Sequence, residues 1–454
     1  MPLIDPSDKR PVHFVGIAGA GMSGLAQLFL GRGVPVTGCD ANPGSAEDLI
    51  RLGVTVTAHD PKHVDGARAL VVTSAMPKDH PELVRARELG IPVIRRAEAL
   101  GEATVGRELV AIAGTHGKTT TTVMTTAALS AAGREPTALA GGRVSAWQGN
   151  LFEGSDRLYV VEADEYDRSF LALSPTVAVI NNIEADHLDI YTDLTDIKRA
   201  FAQFARGART IVLCADDAGA NSLPTPSSTE VLRFGIASPD ARVLATNVVL
   251  SPDGSAFRVV FDDDDLGEVR LQIPGRHNVL NALAAVSAGI ALGAMVPDMA
   301  KGLAAYAGVE RRFQRLGEAR GVVVVDDYAH NPGKVAAALA TARVAYPDRR
   351  LVVAFQPHLF TRTRDFAREF GASLSEADAV FLTEIYPARE QPIAGVSSGL
   401  VADAMAGGKL AWRGERTALA DALASSVREG DVVVTIGAGD ITKTGPELLD
   451  RLSK

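Results

Sequence analysis

A loop of glycine and threonine residues, GTHGKTTTT from Gly114 to Thr122, carries the most specific chemistry in the sequence. It follows the apolar run VAIA and precedes a helical pattern, which is the context of a phosphate-binding P-loop. In such a loop backbone N–H groups approach the phosphates, a lysine supplies positive charge, and a hydroxyl can ligate Mg²⁺. We therefore expect Lys118 to contact the phosphates of a nucleoside triphosphate and Thr119 to ligate its metal ion. The loop is a variant, because Ile112 stands where the general motif has its first glycine.

Hard metal ligands follow two later apolar runs of the sequence. The segment EADEYD begins at Glu162, and NIEADHLD contains His187. The carboxyl ends of parallel strands meet at one edge of a sheet, and carboxylate oxygens suit Mg²⁺. Either cluster alone would more often be a solvated loop. Together with the P-loop they predict a metal site that includes Glu162 and His187.

A second glycine loop, GAGMSG from Gly19 to Gly24, follows the apolar run HFVGI. Asp40 closes another apolar stretch about twenty residues later, as in dinucleotide-binding folds. Taken alone, this fingerprint favours an NAD-dependent oxidoreductase. That alternative leaves the P-loop, the acidic clusters and the last third of the chain unexplained.

Apolar strands alternate with helical patterns along most of the chain, which predicts parallel α/β sheets. We expect three domains, at residues 1–106, 107–311 and 312–454. The first and third are predicted to be Rossmann-like and the second a P-loop ATPase-like domain with a β-rich insertion between Val231 and Ile273. The first four predicted strands and one later helix are His13–Ile17, Pro35–Cys39, Ala69–Thr73, Pro92–Ile94 and Val279–Leu292.

Composition excludes several classes of partner. A net charge of -9 over 454 residues argues against a large basic groove for nucleic acid. The only two cysteines, Cys39 and Cys214, are far apart, so they form neither a disulfide framework nor a cysteine-based metal spacing. No stretch has the length and apolarity of a membrane span or a signal peptide. We expect a cytoplasmic protein, monomeric or weakly dimeric.

Seven motifs in order resemble the Mur ligase family over nearly the whole chain. They are GTHGKTTT, EADEYD, NIEADHLD, PGRHNVLNA, RRF, DDYAHNP and GAGDI. Mur ligases are ATP-dependent enzymes that add amino acids to the peptidoglycan precursor. The opening HFVGIAGAGMSGLA resembles the branch that adds the first amino acid, L-alanine, to UDP-N-acetylmuramate.

This resemblance implies that the first glycine loop holds the UDP of the substrate and not NAD. The residues that match near the sugar nucleotide are Gly19, Gly21, Ser23, Gly24, Asp40 and Ser74.

For the central domain the resemblance implies ATP and two Mg²⁺ ions. Thr119 and Glu162 match ligands of one ion, and His187 matches a ligand of the second. The resemblance places the carbamylated lysine of sibling ligases near Phe201, where Lys198 is the closest lysine, and we expect no such modification here. The residues that match around ATP, including two reached when the third domain closes, are Gly114, Thr115, His116, Gly117, Lys118, Thr119, Thr120, His277, Asn278, Asn281, Arg312 and Asp327.

For the third domain the resemblance implies an amino-acid pocket around His330, His358 and Arg362. Two positions depart from the family pattern: Asn331 replaces a usual histidine, and Leu359 a usual arginine. Arg362 and Arg364 are the nearest groups that could supply the missing carboxylate contact. The departures concern the amino-acid pocket and not the type of reaction.

The implied reaction is a carboxylate–amine ligation. The lactyl carboxylate attacks the γ-phosphate of ATP, and the amine of L-alanine then displaces phosphate from the acyl phosphate. The expected catalytic residues are Lys118, Glu162, His187, His330 and Arg362. Two alternatives share some of these motifs: a ligase that reattaches recycled murein tripeptide to UDP-N-acetylmuramate, and a nucleotide-switch protein without ligase activity.

Overall fold

The computed structural model describes residues 2–73, 76–187, 190–251, 254–388 and 390–454. The chain forms two compact units. The first contains Met1–Val249, Ala256–Gln272 and Arg276–Val309, and the second contains Leu250–Ser255, Ile273–Gly275 and Glu310–Lys454. Among the described residues, no helix is both long enough and apolar enough to span a lipid bilayer.

The first unit begins with a five-stranded sheet in the order β3-β2-β1-β4-β5, and every neighbouring pair is parallel. The strand β1 is buried along its full length, as expected for a parallel strand covered on both faces. The elements are β1 (Val12–Val15), α1 (Ala20–Gly31), β2 (Val36–Cys39), α2 (Glu47–Arg51), β3 (Thr55–Thr57), β4 (Ala69–Val72), α3 (Pro81–Leu89), β5 (Val93–Arg95) and α4 (Arg96–Thr104).

A ten-stranded sheet completes the first unit, in the order β15-β14-β13-β12-β11-β10-β6-β9-β7-β8. Its central strands are parallel and buried, and β8 pairs antiparallel with β7 at one edge. The elements are β6 (Glu108–Ala113), α5 (Lys118–Ala131), β7 (Thr137–Val144), β8 (Gly149–Phe152), β9 (Leu158–Glu162), β10 (Val177–Ile180), α6 (Leu194–Ala205), β11 (Thr210–Cys214), α7 (Ala218–Asn221), β12 (Glu230–Gly235), β13 (Val243–Ser251), β14 (Gly254–Phe261), β15 (Asp264–Leu271), α8 (Arg276–Ala291) and α9 (Val296–Ala304).

The second unit contains a six-stranded sheet in the order β16-β17-β21-β18-β19-β20, with only β16 antiparallel to its neighbour. Valine, leucine and alanine side chains cover both of its faces. The elements are β16 (Gln314–Ala319), β17 (Val322–Asp327), α10 (Pro332–Ala345), β18 (Arg350–Phe355), α11 (Phe360–Asp365), α12 (Ala367–Leu374), β19 (Ala379–Thr383), α13 (Gly399–Asp403), β20 (Leu410–Gly414), α14 (Arg416–Ser426), β21 (Asp431–Ile436) and α15 (Thr444–Ser453).

The predicted α/β fold class is confirmed, with one sheet for each expected domain. The predicted β-rich segment extends the central sheet, because β12 continues it in parallel beside β11. The helix predicted over Val279–Leu292 begins earlier, at Arg276. The boundaries at 106/107 and 311/312 stay predictions.

Candidate active site

The P-loop connects the buried strand β6 to the first turn of α5. Gly114 and Gly117 have φ of 146° and 78°, conformations that disfavour residues with a Cβ. A Cβ on Gly117 would lie 2.4 Å from Asn281 Oδ1. The loop thus needs glycine for both its backbone angles and its close packing. The first turn of α5 leaves backbone N–H groups without helical partners, and these suit a phosphate.

Lys118 begins α5 and is already engaged by the protein. Its Nζ donates to Gly114 O at 2.8 Å and to Glu165 Oε2 at 2.6 Å. The carboxylate of Glu165 is buried, and its Oε1 lies 3.6 Å from His187 Nε2. One buried acid therefore contacts two of the predicted catalytic residues.

The charges in this cluster support one another. Burial raises the pKa of Glu165, but the Lys118 ammonium and hydrogen bonds from His187 and Lys118 lower it to about 2. Burial also lowers the pKa of Lys118 and of His187, yet their carboxylate neighbours outweigh it and raise both pKa values. At neutral pH the Lys118–Glu165 pair is therefore charged.

Two predicted metal ligands adjoin the same stretch of β7, Gly141 and Gly142. Glu162 Oε2 accepts a hydrogen bond from Gly141 N at 2.7 Å. A Cβ on Gly142 would lie 3.5 Å from Thr119 Cγ2. Glu162 ends β9, the strand beside β6, so the P-loop and this carboxylate leave neighbouring strand ends. The oxygen donors of Thr119 and Glu162 are of the kind that Mg²⁺ prefers.

Two of the other residues predicted around ATP, Asn278 and Asn281, belong to a polar network behind the P-loop. Asn281 Oδ1 accepts from Thr121 Oγ1 at 3.2 Å, and Asn281 Nδ2 lies 3.4 Å from Asn278 Oδ1. Both asparagines are buried on α8, whereas His277 at the start of that helix is exposed. Thr115 and Thr120 are buried, and the P-loop residue His116 contacts Glu184 at 3.0 Å.

The first glycine loop links β1 to α1 in the five-stranded sheet. Asp40 accepts backbone N–H groups from Ala18 at 3.1 Å and from Asn42 at 3.0 Å, so it holds the loop in place. The Ser23 hydroxyl donates to Ala20 O at 3.1 Å. Ser74, which was also predicted to contact the nucleotide, lies outside the described residues.

A cleft of about 300 Å³ begins at this glycine loop and lies entirely within the first unit. Its other wall is Gly141, Glu162 and Asp164 of the central sheet. The predicted sugar-nucleotide loop and a predicted metal ligand therefore line one cavity. The remaining lining residues are Gly16, Gly19, Ala20, Gly21, Met22, Gly24, Leu25, Thr73, Arg96, Leu100, Leu139 and Ala140.

Arg96 in this cleft is a residue that the sequence reasoning missed. A Cβ on Gly21 would lie 2.9 Å from Arg96 Nη1, so the guanidinium covers the glycine loop. Within the described parts of the chain, Arg96 has neither a hydrogen-bond nor an ion-pair partner. A half-buried cation beside a glycine-rich turn is suited to a phosphate. Glu165 lies in the EADEYD segment that predicts the metal site, but the sequence did not indicate that it pairs with Lys118.

In the second unit, the two arginines of the RRF motif have different surroundings. Arg311 Nε contacts the buried Asp326 Oδ2 at 3.2 Å, which anchors it to β17. Arg312 lies over the Tyr328 ring at 5.4 Å. Asp327 accepts backbone N–H groups from Phe313 and Ala329, and burial raises its pKa above the ordinary value.

The residues predicted to receive the amino acid also lie together in the second unit. The His330 and His358 rings are 6.3 Å apart, and Arg362 Nη1 lies 3.5 Å from His358 Nδ1. Burial lowers the pKa of His330 well below its usual value, and nearby cations reinforce the shift. Leu359 is buried, with φ of 73°, and Arg364 contacts the adjacent Asp365.

Phe201 lies near the position at which the family resemblance predicts a carbamylated lysine in sibling ligases. It is fully buried on α6, and its ring meets that of Phe170 edge-on at 5.1 Å. The nearest lysine in sequence, Lys198, points to Ser222 Oγ at 2.9 Å on the exposed side. The side chains around Phe201 thus form an apolar core.

Three domain models of one family match the chain in order. They are the Mur ligase family, catalytic domain, over residues 11–107; the Mur ligase middle domain over 112–289; and the Mur ligase, glutamate ligase domain, over 311–439.

Similar full-length proteins agree with these matches. A UDP-N-acetylmuramate–L-alanine ligase of Acidothermus cellulolyticus is 44% identical over 97% of this chain and 95% of its own. The crystal structure of the UDP-N-acetylmuramate-alanine ligase of Thermotoga maritima has a TM-score of 0.83 at 29% identity, covering 97% and 98% of the two chains. A murein peptide ligase of Psychrobacter arcticus has a TM-score of 0.72 at 26% identity, covering 98% and 99%. With its P-loop, its three sheets and these relatives, the chain belongs to the Mur ligase family.

Proposed function

We propose that this protein is an ATP-dependent ligase that joins L-alanine to the lactyl carboxylate of UDP-N-acetylmuramate. This reaction is the first amino-acid addition in peptidoglycan precursor synthesis. The observation that carries the proposal is the cleft of the first unit, which runs from the glycine loop to Glu162. A sugar nucleotide whose diphosphate lies at the loop would extend its other end toward the P-loop side of the central sheet.

The first chemical step brings together two anions, a carboxylate and a triphosphate. Its main requirement is therefore neutralisation of charge and alignment of the reacting groups. Lys118 and the N-terminus of α5 supply positive potential to the phosphates. Thr119 and Glu162 would hold one Mg²⁺ and His187 would contribute to a second. Bound Mg²⁺ supplies further charge neutralisation at the transferred phosphoryl group.

The second step needs a base, since the amine of L-alanine is protonated at neutral pH. His187 and His330 are the two candidates for this role. Burial lowers the pKa of His330, which weakens it as a proton acceptor, whereas the carboxylates around His187 raise the pKa of that ring. Arg362, beside His358, offers a cation to the amino-acid carboxylate. Because the reaction consumes ATP and a sugar nucleotide, we also propose a cytoplasmic location.

The murein-tripeptide ligase is the nearest alternative. Among the solved structures, the alanine ligase of Thermotoga maritima has a TM-score of 0.83 to this chain, against 0.72 for the murein peptide ligase of Psychrobacter arcticus, and both alignments cover nearly the whole chain. This difference favours a single amino acid as the acceptor.

The test is phosphate release from ATP in the presence of Mg²⁺, UDP-N-acetylmuramate and a panel of acceptors. The panel contains single amino acids and one murein tripeptide. We expect release that requires both the sugar nucleotide and L-alanine. Lys118→Ala should abolish release, while Lys301→Ala, which removes an exposed lysine on α9, should leave it unchanged. Release with the tripeptide but not with L-alanine would assign the recycling reaction instead.

A further inference from the structure

A second group of chemically reactive side chains lies in the five-stranded domain, away from the P-loop. Cys39 ends β2, His59 follows β3, and His80 and Glu82 lie at the start of α3. His13 on β1 faces the same group. Neither the P-loop chemistry nor the proposed reaction uses any of these five residues.

The donor atoms of four of these residues lie close together. Cys39 Sγ is 2.9 Å from Glu82 Oε2 and 3.2 Å from His59 Nδ1. Glu82 Oε2 is also 3.5 Å from His59 Nδ1 and 3.8 Å from His80 Nδ1. In a tetrahedral zinc site with bonds of 2.0–2.3 Å, neighbouring donor atoms are roughly 3.3–3.6 Å apart. These four separations are near those of a coordination shell, and the donors form two overlapping triads that share Glu82, one with His13 and Cys39 and one with His59 and His80.

Hydrogen bonds within the protein leave this group incompletely satisfied. The Glu82 carboxylate is fully buried and accepts hydrogen bonds from Asp60 N at 2.9 Å and from Cys39 Sγ, but among the described residues no lysine or arginine pairs with it. Such burial is costly for an anion without a cation. His13 Nε2 and His80 Nδ1 are buried atoms without a hydrogen-bond partner in the described chain. The His13 side chain is 1% exposed, and its free nitrogen belongs to the group with Cys39 and Glu82.

We propose that Cys39, His59, His80 and Glu82 bind one divalent transition-metal ion of the zinc class. The donor set of one thiolate, two imidazoles and one carboxylate selects such an ion, whereas Mg²⁺ and Ca²⁺ prefer oxygen ligands alone. Binding replaces the Cys39 S–H donation to Glu82, and the thiol proton leaves to solvent. His59 is partly exposed, which gives the ion a route of entry.

The ion has a structural role in the domain that carries the first glycine loop. It joins the end of β2 to the loop after β3 and to the first turn of α3. Cys39 precedes Asp40, whose carboxylate holds the glycine loop, and Cys39 O accepts hydrogen bonds from Gly16 and Ile17. A bound ion therefore fixes the backbone beside that loop. This inference concerns the fold of the domain and does not depend on the identity of the amino-acid acceptor.

The test is titration of the chelator-treated, nucleotide-free protein with Co²⁺, followed by Zn²⁺. Cobalt bound to a thiolate gives a near-ultraviolet charge-transfer band, which Co²⁺ held by the oxygen and imidazole ligands near the P-loop does not give. We expect the band to saturate at one equivalent and to disappear with one equivalent of Zn²⁺. It should be absent in Cys39→Ser and unchanged in Cys214→Ser. The latter is the matched control, because Cys214 is buried and is the only other cysteine.

His80→Ala keeps the thiol and should weaken Co²⁺ affinity by roughly tenfold or more. Zn²⁺ should also raise the thermal midpoint of the wild-type chain but not that of Cys39→Ser. Absence of the band in the wild-type protein would overturn the proposal, as would its persistence in Cys39→Ser. If Cys39→Ser does not fold, the His80→Ala and Cys214→Ser titrations test the site instead. A weaker Co²⁺ affinity in His80→Ala with an unchanged band in Cys214→Ser supports the proposal, and any other result overturns it.

Discussion

The ammonium of Lys118 has a carboxylate partner before any nucleotide is present. Glu165 Oε2 accepts from Lys118 Nζ at 2.6 Å in a buried environment, and the other oxygen of that carboxylate faces His187. A lysine without such a partner would lose charge on burial. The acid thus keeps the P-loop cation protonated and fixes its position, and incoming phosphate meets an ordered side chain.

Glu165→Gln is expected to lower the free energy of unfolding by about 2–4 kcal/mol at neutral pH, since it leaves a buried ammonium without its counterion. Urea denaturation measures this change. Asp298→Asn is the matched control, because it breaks an ion pair with Lys301 that is exposed on α9 and should change stability by about 0–1 kcal/mol. Equal effects of the two substitutions would contradict the assigned importance of the buried pair.

The same pair predicts a dependence on pH. The folded pKa of Glu165 is about 2, below the ordinary 4.5. A carboxylate whose pKa is lower in the folded than in the unfolded state stabilises the folded state. This stabilisation is complete when the pH is above the unfolded pKa, and it is lost as the pH falls toward the folded pKa. The stability difference between wild type and Glu165→Gln should therefore shrink as pH drops from 4.5 toward 2. A difference that stays constant down to acid unfolding would argue against this account.

Arg96 is expected to bind the diphosphate of the sugar nucleotide. Arg96→Ala should raise the KM for UDP-N-acetylmuramate by roughly 10–100-fold, the loss of one charge-assisted contact, with little change in kcat. Initial-rate kinetics measure both constants. Arg85→Ala also removes one positive charge and is the control. Arg85 lies on α3 and forms an exposed ion pair with Asp65, so the KM of this variant should match that of the wild type. A fall in kcat without a change in KM would exclude this role.

At the scale of elements, the sequence predicts best what consecutive residues determine. The P-loop, the first glycine loop and the alternating strands follow from local patterns, and the fold class is confirmed. Contacts between distant segments were not predictable. Arg96 reaches Gly21 only because of the order of strands in the first sheet, and Cys39 meets Glu82 through the packing of α3. No spacing in the sequence indicates either contact.

The turn into α5 allows the contributions of backbone angle and packing to be separated. Gly117→Ala combines a positive φ of 78° with a Cβ 2.4 Å from Asn281 Oδ1. Gly133, just after the same helix, has φ of 73° and open space around it. We expect Gly133→Ala to cost about 1–2 kcal/mol from the backbone angle alone. Gly117→Ala should lower the free energy of unfolding, measured by urea denaturation, by more than Gly133→Ala does, and it should also abolish ATP binding. Equal losses of stability would show that the Asn281 side chain moves away from the new Cβ at no cost.

At the scale of the whole molecule, two compact units with separate sheets predict two thermal transitions. The P-loop lies in the first unit, so Mg²⁺ and a non-hydrolysable ATP analogue should stabilise only the transition of that unit. At a concentration of 100 times Kd the gain is about 2.7 kcal/mol. Calorimetry measures this shift in the transition temperature. Lys118→Ala should retain both transitions, but the ATP analogue should no longer shift the transition of the first unit. A single transition that moves as a whole would refute independent unfolding of the units.

The aromatic core around Phe201 has a consequence for the conditions under which the enzyme works. A carbamylated lysine forms by reaction of its amine with dissolved carbon dioxide, so enzymes that rely on one respond to the supply of that gas. Near the position that the resemblance assigns to that lysine, this chain has a buried phenyl ring packed against Phe170. We therefore expect the rate of phosphate release to be the same in bicarbonate-rich medium and in medium purged of bicarbonate.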